Sequence, residues 1–319
     1  IAGPYEIRAK WTGDVERLTP AGVDFAFEAI ENVPRLGVMV FGDHLLLRIE
    51  HGEPFVTLGI AALHDTATPI GYGSAAVLAD GGRLMTRTTV RTENGTRIRE
   101  TDVVRFDADR RRETPFPFPP PSGGGAWTSI RLFTDADGQV FAYAGRGRPA
   151  AVPVAFDDVA PALEQRFYRL AADAWQELPA LDPATVSATD ACFVDRALVV
   201  VGSRIEKNAA GTATVRRGVT AELAEGRWTM RELPSPAGVA AWSMAGLRCG
   251  RTRDRVYALA VTAAPGQSIG HAFLSGAPAL YRSDADNWHA VPLPEQSPGD
   301  GAPRVTALTV DRTGALWLS

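Results

Sequence analysis

The sequence predicts an all-β protein made of short antiparallel sheets repeated around a closed ring, and three observations lead there. The stretch Tyr281 to Pro292, YRSDADNWHAVP, recurs as Tyr168 to Pro179, YRLAADAWQELP, with six of twelve positions identical. A tryptophan seven residues after a tyrosine, with an Ala-Asp turn between, reads as two strands joined tightly. The chain carries 31 Gly and 23 Pro between short apolar runs, which favours many turns and strands over helices. Finally, the two ends of the chain each carry one half of the repeating unit.

Taken in order, each repeat joins an inner pair of strands to an outer pair. The outer pair has a large apolar anchor followed three residues later by Leu or Val: Val15 with Leu18, Phe55 with Leu58, Trp175 with Leu178 and Trp288 with Val291. Trp228 fits with two extra residues before its proline, and Phe116 sits in RRETPFPFPPP. Those prolines limit that copy to an edge, because proline gives no ladder hydrogen bond. The inner pair is an alternating run, an acidic turn with Gly, and a second apolar run. Thr128 to Tyr143 (TSIRLFTDADGQVFAY) is the clearest copy, and Ser74 to Leu84, Ala188 to Val201, Ser243 to Val261 and Val305 to Ser319 follow it. Gly reaches positive φ cheaply and Asp bonds nearby amides, so both belong in these turns.

The N-terminus opens with an outer pair, Tyr5 to Pro20, and the C-terminus closes with an inner pair. If both complete one sheet, the ring has no open edge. The expected units are then about 23–59, 60–121, 124–183, 184–235 and 236–297, counted one to five, with the joined ends as the sixth. This arrangement resembles the β-propeller superfamily along the whole chain, and implies a single six-bladed domain over 1–319, seven blades being the alternative. Ser283, Asp284, Asp286 and Trp288 resemble a compressed Asp-box, the turn of sialidase-like propellers. The final DRTGALWLS resembles the Asp-x-x-Gly-x-Leu-Trp repeat of sensor-type periplasmic propellers. Both likenesses concern blade geometry and carry over no active site.

Composition narrows the function. A net charge of −4 gives no broad positive field for nucleic acid or anionic lipid. Arg110, Arg111 and Arg112 lie among Asp107, Asp109 and Glu113, which reads as a solvated turn. No apolar run is long enough for a membrane-spanning helix. The chain has no GxSxG elbow, no phosphate-cradling GxxxxGK[ST] and no HExxH, and no cofactor or metal signature. His44, His51, His64 and His289 show no ligand spacing with one another or with the cysteines. Pro115 to Gly125 reads as an interblade connection. The two cysteines, Cys192 and Cys249, fall on inner strands of neighbouring repeats, and either a disulfide of an exported protein or two buried thiols fits them.

Binding residues are expected in two places. The connections Gly145 to Gln165, Ser203 to Gly218 and Thr262 to Ala279 exceed the usual two to six residues and gather on one face of blades 3–5. They contain Asp157 and Asp158 at the start of a helical turn, and His271 with Phe273. The second place is the central channel, where Arg131, Asp190, Arg248 and Thr309 alternate with apolar neighbours on the innermost strands. Such charges either hold a polar ligand or pair with one another. A sialidase-like site needs three arginines, a tyrosine nucleophile and an acid, and no spacing isolates three arginines here. The expectation is a non-catalytic, periplasmic or extracellular scaffold whose long-loop face takes a protein or carbohydrate partner, alone or within a larger assembly. The alternative is a sialidase-like hydrolase or a lyase acting at the channel mouth.

Overall fold

A computed structural model describes residues 8–9, 15–16, 27–33, 37–42, 45–50, 53–59, 70–94, 96–106, 113–147, 150–151, 163–207, 214–236, 239, 241–250, 252–263, 277–284, 287–292, 308–310 and 316–318. Strands β1 (Arg8–Ala9) and β2 (Val15–Glu16) form a two-stranded sheet. Blade 1 follows with β3 (Phe27–Val33), β4 (Gly37–Gly42), β5 (Leu45–Glu50) and β6 (Glu53–Gly59), paired in chain order. Blade 2 repeats the order with β7 (Ile70–Val77), β8 (Arg83–Glu93), β9 (Thr96–Phe106) and β10 (Glu113–Phe116). Blade 3 holds β11 (Ser129–Thr134) and β12 (Val140–Arg146), and after the short β13 (Ala150–Ala151), β14 (Glu164–Ala171) and β15 (Ala174–Glu177). Blade 4 has β16 (Ser187–Val194), β17 (Ala197–Lys207), β18 (Thr214–Ala224) and β19 (Arg227–Glu232). Blade 5 has β20 (Ala241–Cys249), β21 (Val256–Ala263), β22 (Ala277–Ser283) and β23 (Trp288–Val291), and the last sheet pairs β24 (Leu308–Val310) with β25 (Leu316–Leu318). Every pairing is antiparallel, and no α-helix occurs among the described residues.

Two periodicities explain these strands. Inner strands are buried on both faces, so β12 (VFAYAGR) is buried through Gly145. Outer strands alternate: in β18, Val219, Ala221 and Leu223 face blade 3, while the residues between them face blade 5. Hairpin turns supply the reversals. Ala172 and Asp173, and likewise Asp195 and Arg196, have positive φ at both central positions, which matches the right-handed twist of the flanking strands.

Among the described residues, neighbouring sheets of blades 2–5 pack face to face through three apolar layers. Leu84, Val103, Trp127, Leu132 and Tyr168 fill the space between blades 2 and 3. Phe141, Phe167, Val186, Val200 and Leu223 do so between blades 3 and 4, and Val201, Trp242, Met244, Leu247 and Tyr281 between blades 4 and 5. The tryptophan that marks the outer pair points back into the preceding blade. Trp175 lies on Phe116 and Phe118 of the proline-rich connection, with centroids 6.3 and 5.0 Å away. Trp228 lies 5.4 Å from Phe167, and its Nε1 donates to the carbonyl of Pro179 at 3.0 Å. Close packing also dictates Gly218, because a Cβ there would meet the Trp242 indole at 2.2 Å.

The innermost strands β3, β7, β11, β16, β20 and β24 each lie beside the next, and β24 returns to β3. Three expectations need correction. Among the described residues there are not six or seven complete blades: four sheets have four strands, the blade 2 sheet has four with β13 added, and two sheets have only two. The expected joint sheet of the chain ends does not occur among the described residues either. There β1 pairs with β2 and β24 with β25 in separate sheets, and β1 lies beside β6. The connection from Ser203 to Gly218 is no loose loop, since β17 and β18 stay paired out to Lys207 opposite Thr214. Alternating residues with high strand propensity, such as Ile205 and Val215, carry the ladder outward. The β8–β9 hairpin projects in the same way, and β13 adds to its edge at Thr96 and Arg97.

Candidate functional site

The centre of the ring is built from strand interiors. On β16 a bulge leaves Thr189 unpaired and places Asp190 opposite Val201. On β20 the same irregularity falls between Met244 and Gly246, and β3 and β7 carry one each. The bulge turns the Asp190 carboxylate toward both neighbouring inner strands. Its Oδ1 accepts from the amide of Ala191 at 2.7 Å and pairs with Arg131 Nη1 of β11 at 2.6 Å. Its Oδ2 accepts from the amide of Leu247 at 2.7 Å and from Arg248 Nη1 of β20 at 2.9 Å.

Three residues expected to line the channel therefore meet, and they bind each other. Asp190 is 2% exposed, Arg248 14% and Arg131 22%. A carboxylate this deep is tolerated because two guanidinium groups and two amides replace its water. One side chain thus ties together three successive blades. Ser74 plays a smaller part of the same kind on β7, accepting from the amide of Leu132 on β11 at 2.7 Å.

Tyr143 lies behind this group. Its hydroxyl donates to the carbonyl of Ala188 at 2.8 Å, and burial, reinforced by the negative charge of Asp190, pushes its pKa well above the ordinary 10.0. A nucleophilic tyrosine needs the opposite shift. Cys192 and Cys249 are joined, which places a covalent link between β16 and β20 within the apolar layer next to the ion pairs.

On the face that bears the long connections, Glu164 is buried at the start of β14. Burial opposes its ionisation, but the amide and hydroxyl of Ser122, the Arg166 guanidinium and the Gly123 amide outweigh this and hold its carboxyl below the ordinary 4.5. Ser122 donates to it at 2.9 and 2.8 Å, so the group fastens the proline-rich connection to blade 3. Tyr143, Ser74 and Glu164 were not singled out in the sequence. A small polar residue at the bulge of an inner strand, as in GYGSAA and SATDAC, was the available signal for Ser74. Asp157, Asp158, His271 and Phe273 lie outside the described residues, as do Arg110, Arg111, Arg112 and the side chain of Thr309. Among the described residues no group of three His, Cys, Asp or Glu side chains could hold a metal ion, and no helix is long and apolar enough to cross a membrane.

Radial four-stranded sheets around a circuit of inner strands make this protein a β-propeller. No protein-family model matches the chain, and no curated protein does. Solved structures similar to it include a gluconolactonase from Xanthomonas campestris, 14% identical over 92% of this chain and 82% of that one, with a TM-score of 0.47. A thermostable family-43 glycoside hydrolase is 10% identical over 89% and 98%, with a TM-score of 0.45. A protein of unknown function from Bacteroides caccae is 13% identical over 80% and 79%, with a TM-score of 0.40.

Proposed function

We propose that this propeller is a non-catalytic, exported binding scaffold, and that the face carrying the long connections of blades 3–5 takes a protein or carbohydrate partner. The observation that carries the reading is Asp190, whose carboxylate is occupied by two arginines and two backbone amides. Charges spent on holding blades together are poorly placed to act as acid, base or nucleophile. The disulfide supports export, since such bonds persist in oxidising compartments. The β17–β18 ribbon, rather than a loop, is the stem of the proposed face, and Asp157, Asp158, His271 and Phe273 are its proposed binding residues.

The rival reading, a glycoside hydrolase or lyase at the channel mouth, draws on the convergence of Arg131, Arg248, Asp190 and Tyr143. Against it stands the raised pKa of Tyr143. The test is to cut the ribbon back by joining Glu206 to Val215 through an Asn-Gly turn, and to compare both proteins on a polysaccharide array and against proteins of the same compartment. Loss of capture with an unchanged melting temperature is expected. Capture that survives the deletion sinks the placement, and turnover of any arrayed glycan by the intact protein sinks the non-catalytic reading.

A further inference from the structure

The two long hairpins share a composition that the rest of the chain lacks. The inner strand β7 pairs with β8 as far as Thr89, and β16 pairs with β17 as far as Ser203. Beyond those points each hairpin runs on as a two-stranded ribbon, Val90–Glu93 with Thr96–Arg99 in blade 2 and Arg204–Lys207 with Thr214–Arg217 in blade 4. Both ribbons connect a second strand to a third, so they leave their sheets at the same end. Residues 90–99 hold three arginines and one glutamate, and residues 204–217 hold three arginines, a lysine and one glutamate. The ribbons therefore carry seven basic residues against two acidic, while the 33 basic and 37 acidic residues of the whole chain leave 26 against 35 elsewhere. The connection of blade 3 between them, residues 146–164, is near balance with two basic and three acidic.

The register distributes these charges over both faces of each ribbon. Arg99 stands opposite Val90 and Arg91 opposite Ile98, while Arg204 stands opposite Arg217 and Arg216 opposite Ile205. Arg99 and Arg217 are exposed. Arg204 and Arg217 both reach Glu232 of β19, with Arg217 Nη1 3.2 Å from its Oε2. Like charges directly opposite each other weaken a ladder, so the stability of the hairpin does not explain this pair.

We propose that the two ribbons bind an acidic polysaccharide, one that carries carboxylate or sulfate groups; this rests on the long-connection face being the binding surface and names its ligand. A guanidinium fork meets either anion in two-point contact. Thr92, Thr96, Thr212 and Thr214 supply hydroxyls of the kind that exchange hydrogen bonds with sugar hydroxyls. Neither segment contains an aromatic residue. That removes the stacking surface used by single-stranded nucleic acid and by neutral sugars, and the aromatic anchors that dominate protein interfaces. The ribbons belong to blades on either side of blade 3, and a polymer that touches both gains affinity from the second contact.

The experiment measures binding of the full chain to polygalacturonate, dextran sulfate, neutral dextran, double-stranded DNA and polyglutamate by surface plasmon resonance at low and high salt. At least one of the two acidic polysaccharides is expected to bind and dextran is not, with affinity that rises with polymer length and falls as salt screens the charges. Lys207→Glu combined with Arg216→Glu should weaken binding about tenfold. Arg196→Glu combined with Arg227→Glu makes the same charge change at exposed sites of the tight-turn end and should leave binding unaltered. Where the first pair lowers the melting temperature, Lys207→Gln with Arg216→Gln serves instead. The proposal is overturned by no binding to either acidic polysaccharide, by equal binding to dextran, by tighter binding to DNA or polyglutamate, or by equal loss in both charge-reversed pairs. If joining Glu206 to Val215 abolishes capture while the ribbon charge reversal leaves it intact, the face stands and its acidic ligand falls.

Discussion

Asp190 shows how much of this molecule rests on one side chain. Its charge is stable in the interior only while Arg131, Arg248 and the two amides surround it. Asp190→Asn keeps the shape but leaves two guanidinium groups without their shared counter-charge. Removing one partner of a buried ion group costs about 3–5 kcal/mol. Urea denaturation should register that loss, and a value within experimental error of wild type would show that the triad holds nothing together. The same residue was recognised from its place in an alternating inner strand. Its partners were recognised too, but the alternation alone could not decide between a ligand and mutual pairing.

At the scale of the strand, turn chemistry sets the limits. Ala172 at φ 47° and Asp173 at φ 65° occupy the left-handed region, which non-glycine residues enter at a cost of about 1 kcal/mol each. Replacing the pair by Asn-Gly should therefore stabilise the β14–β15 hairpin. Calorimetry should show a rise of roughly 2 °C in melting temperature, whereas an unchanged or lower value would mean that the turn is not strained. Here the sequence was only partly legible. AADAW announced a tight turn correctly, since Asp is a turn residue and the flanks alternate. The long hairpin β17–β18 was read as a loop, because residues such as Glu206, Lys207 and Thr214 serve equally in a connection and in an exposed ladder.

For the whole molecule the decisive property is closure. A ring of blades has no edge only if its first and last members touch, and β24 supplies this by lying between β20 and β3. The Cys192–Cys249 bond adds a second restraint where blades 4 and 5 meet. It closes a segment of 57 residues, for which chain entropy gives about 4 kcal/mol. Reduction, or Cys249→Ala, should lower the melting temperature and open the interface between blades 4 and 5 first. Hydrogen exchange would reveal that order, as faster exchange in β16 and β20 than in β7 and β11; uniform loss of protection across all blades would contradict it.

What the sequence determined by itself was the unit and its spacing: strand alternation, Asp and Gly turns, a recurring tryptophan, and intervals that each contain one of the five large sheets. These are local properties, written within a dozen residues, so a single chain displays them. What only the tertiary structure decided was which polar residues meet. Asp190 and Arg248 are 58 positions apart, and no local pattern ties one bulge to the next; only the circuit of inner strands brings them within bonding distance.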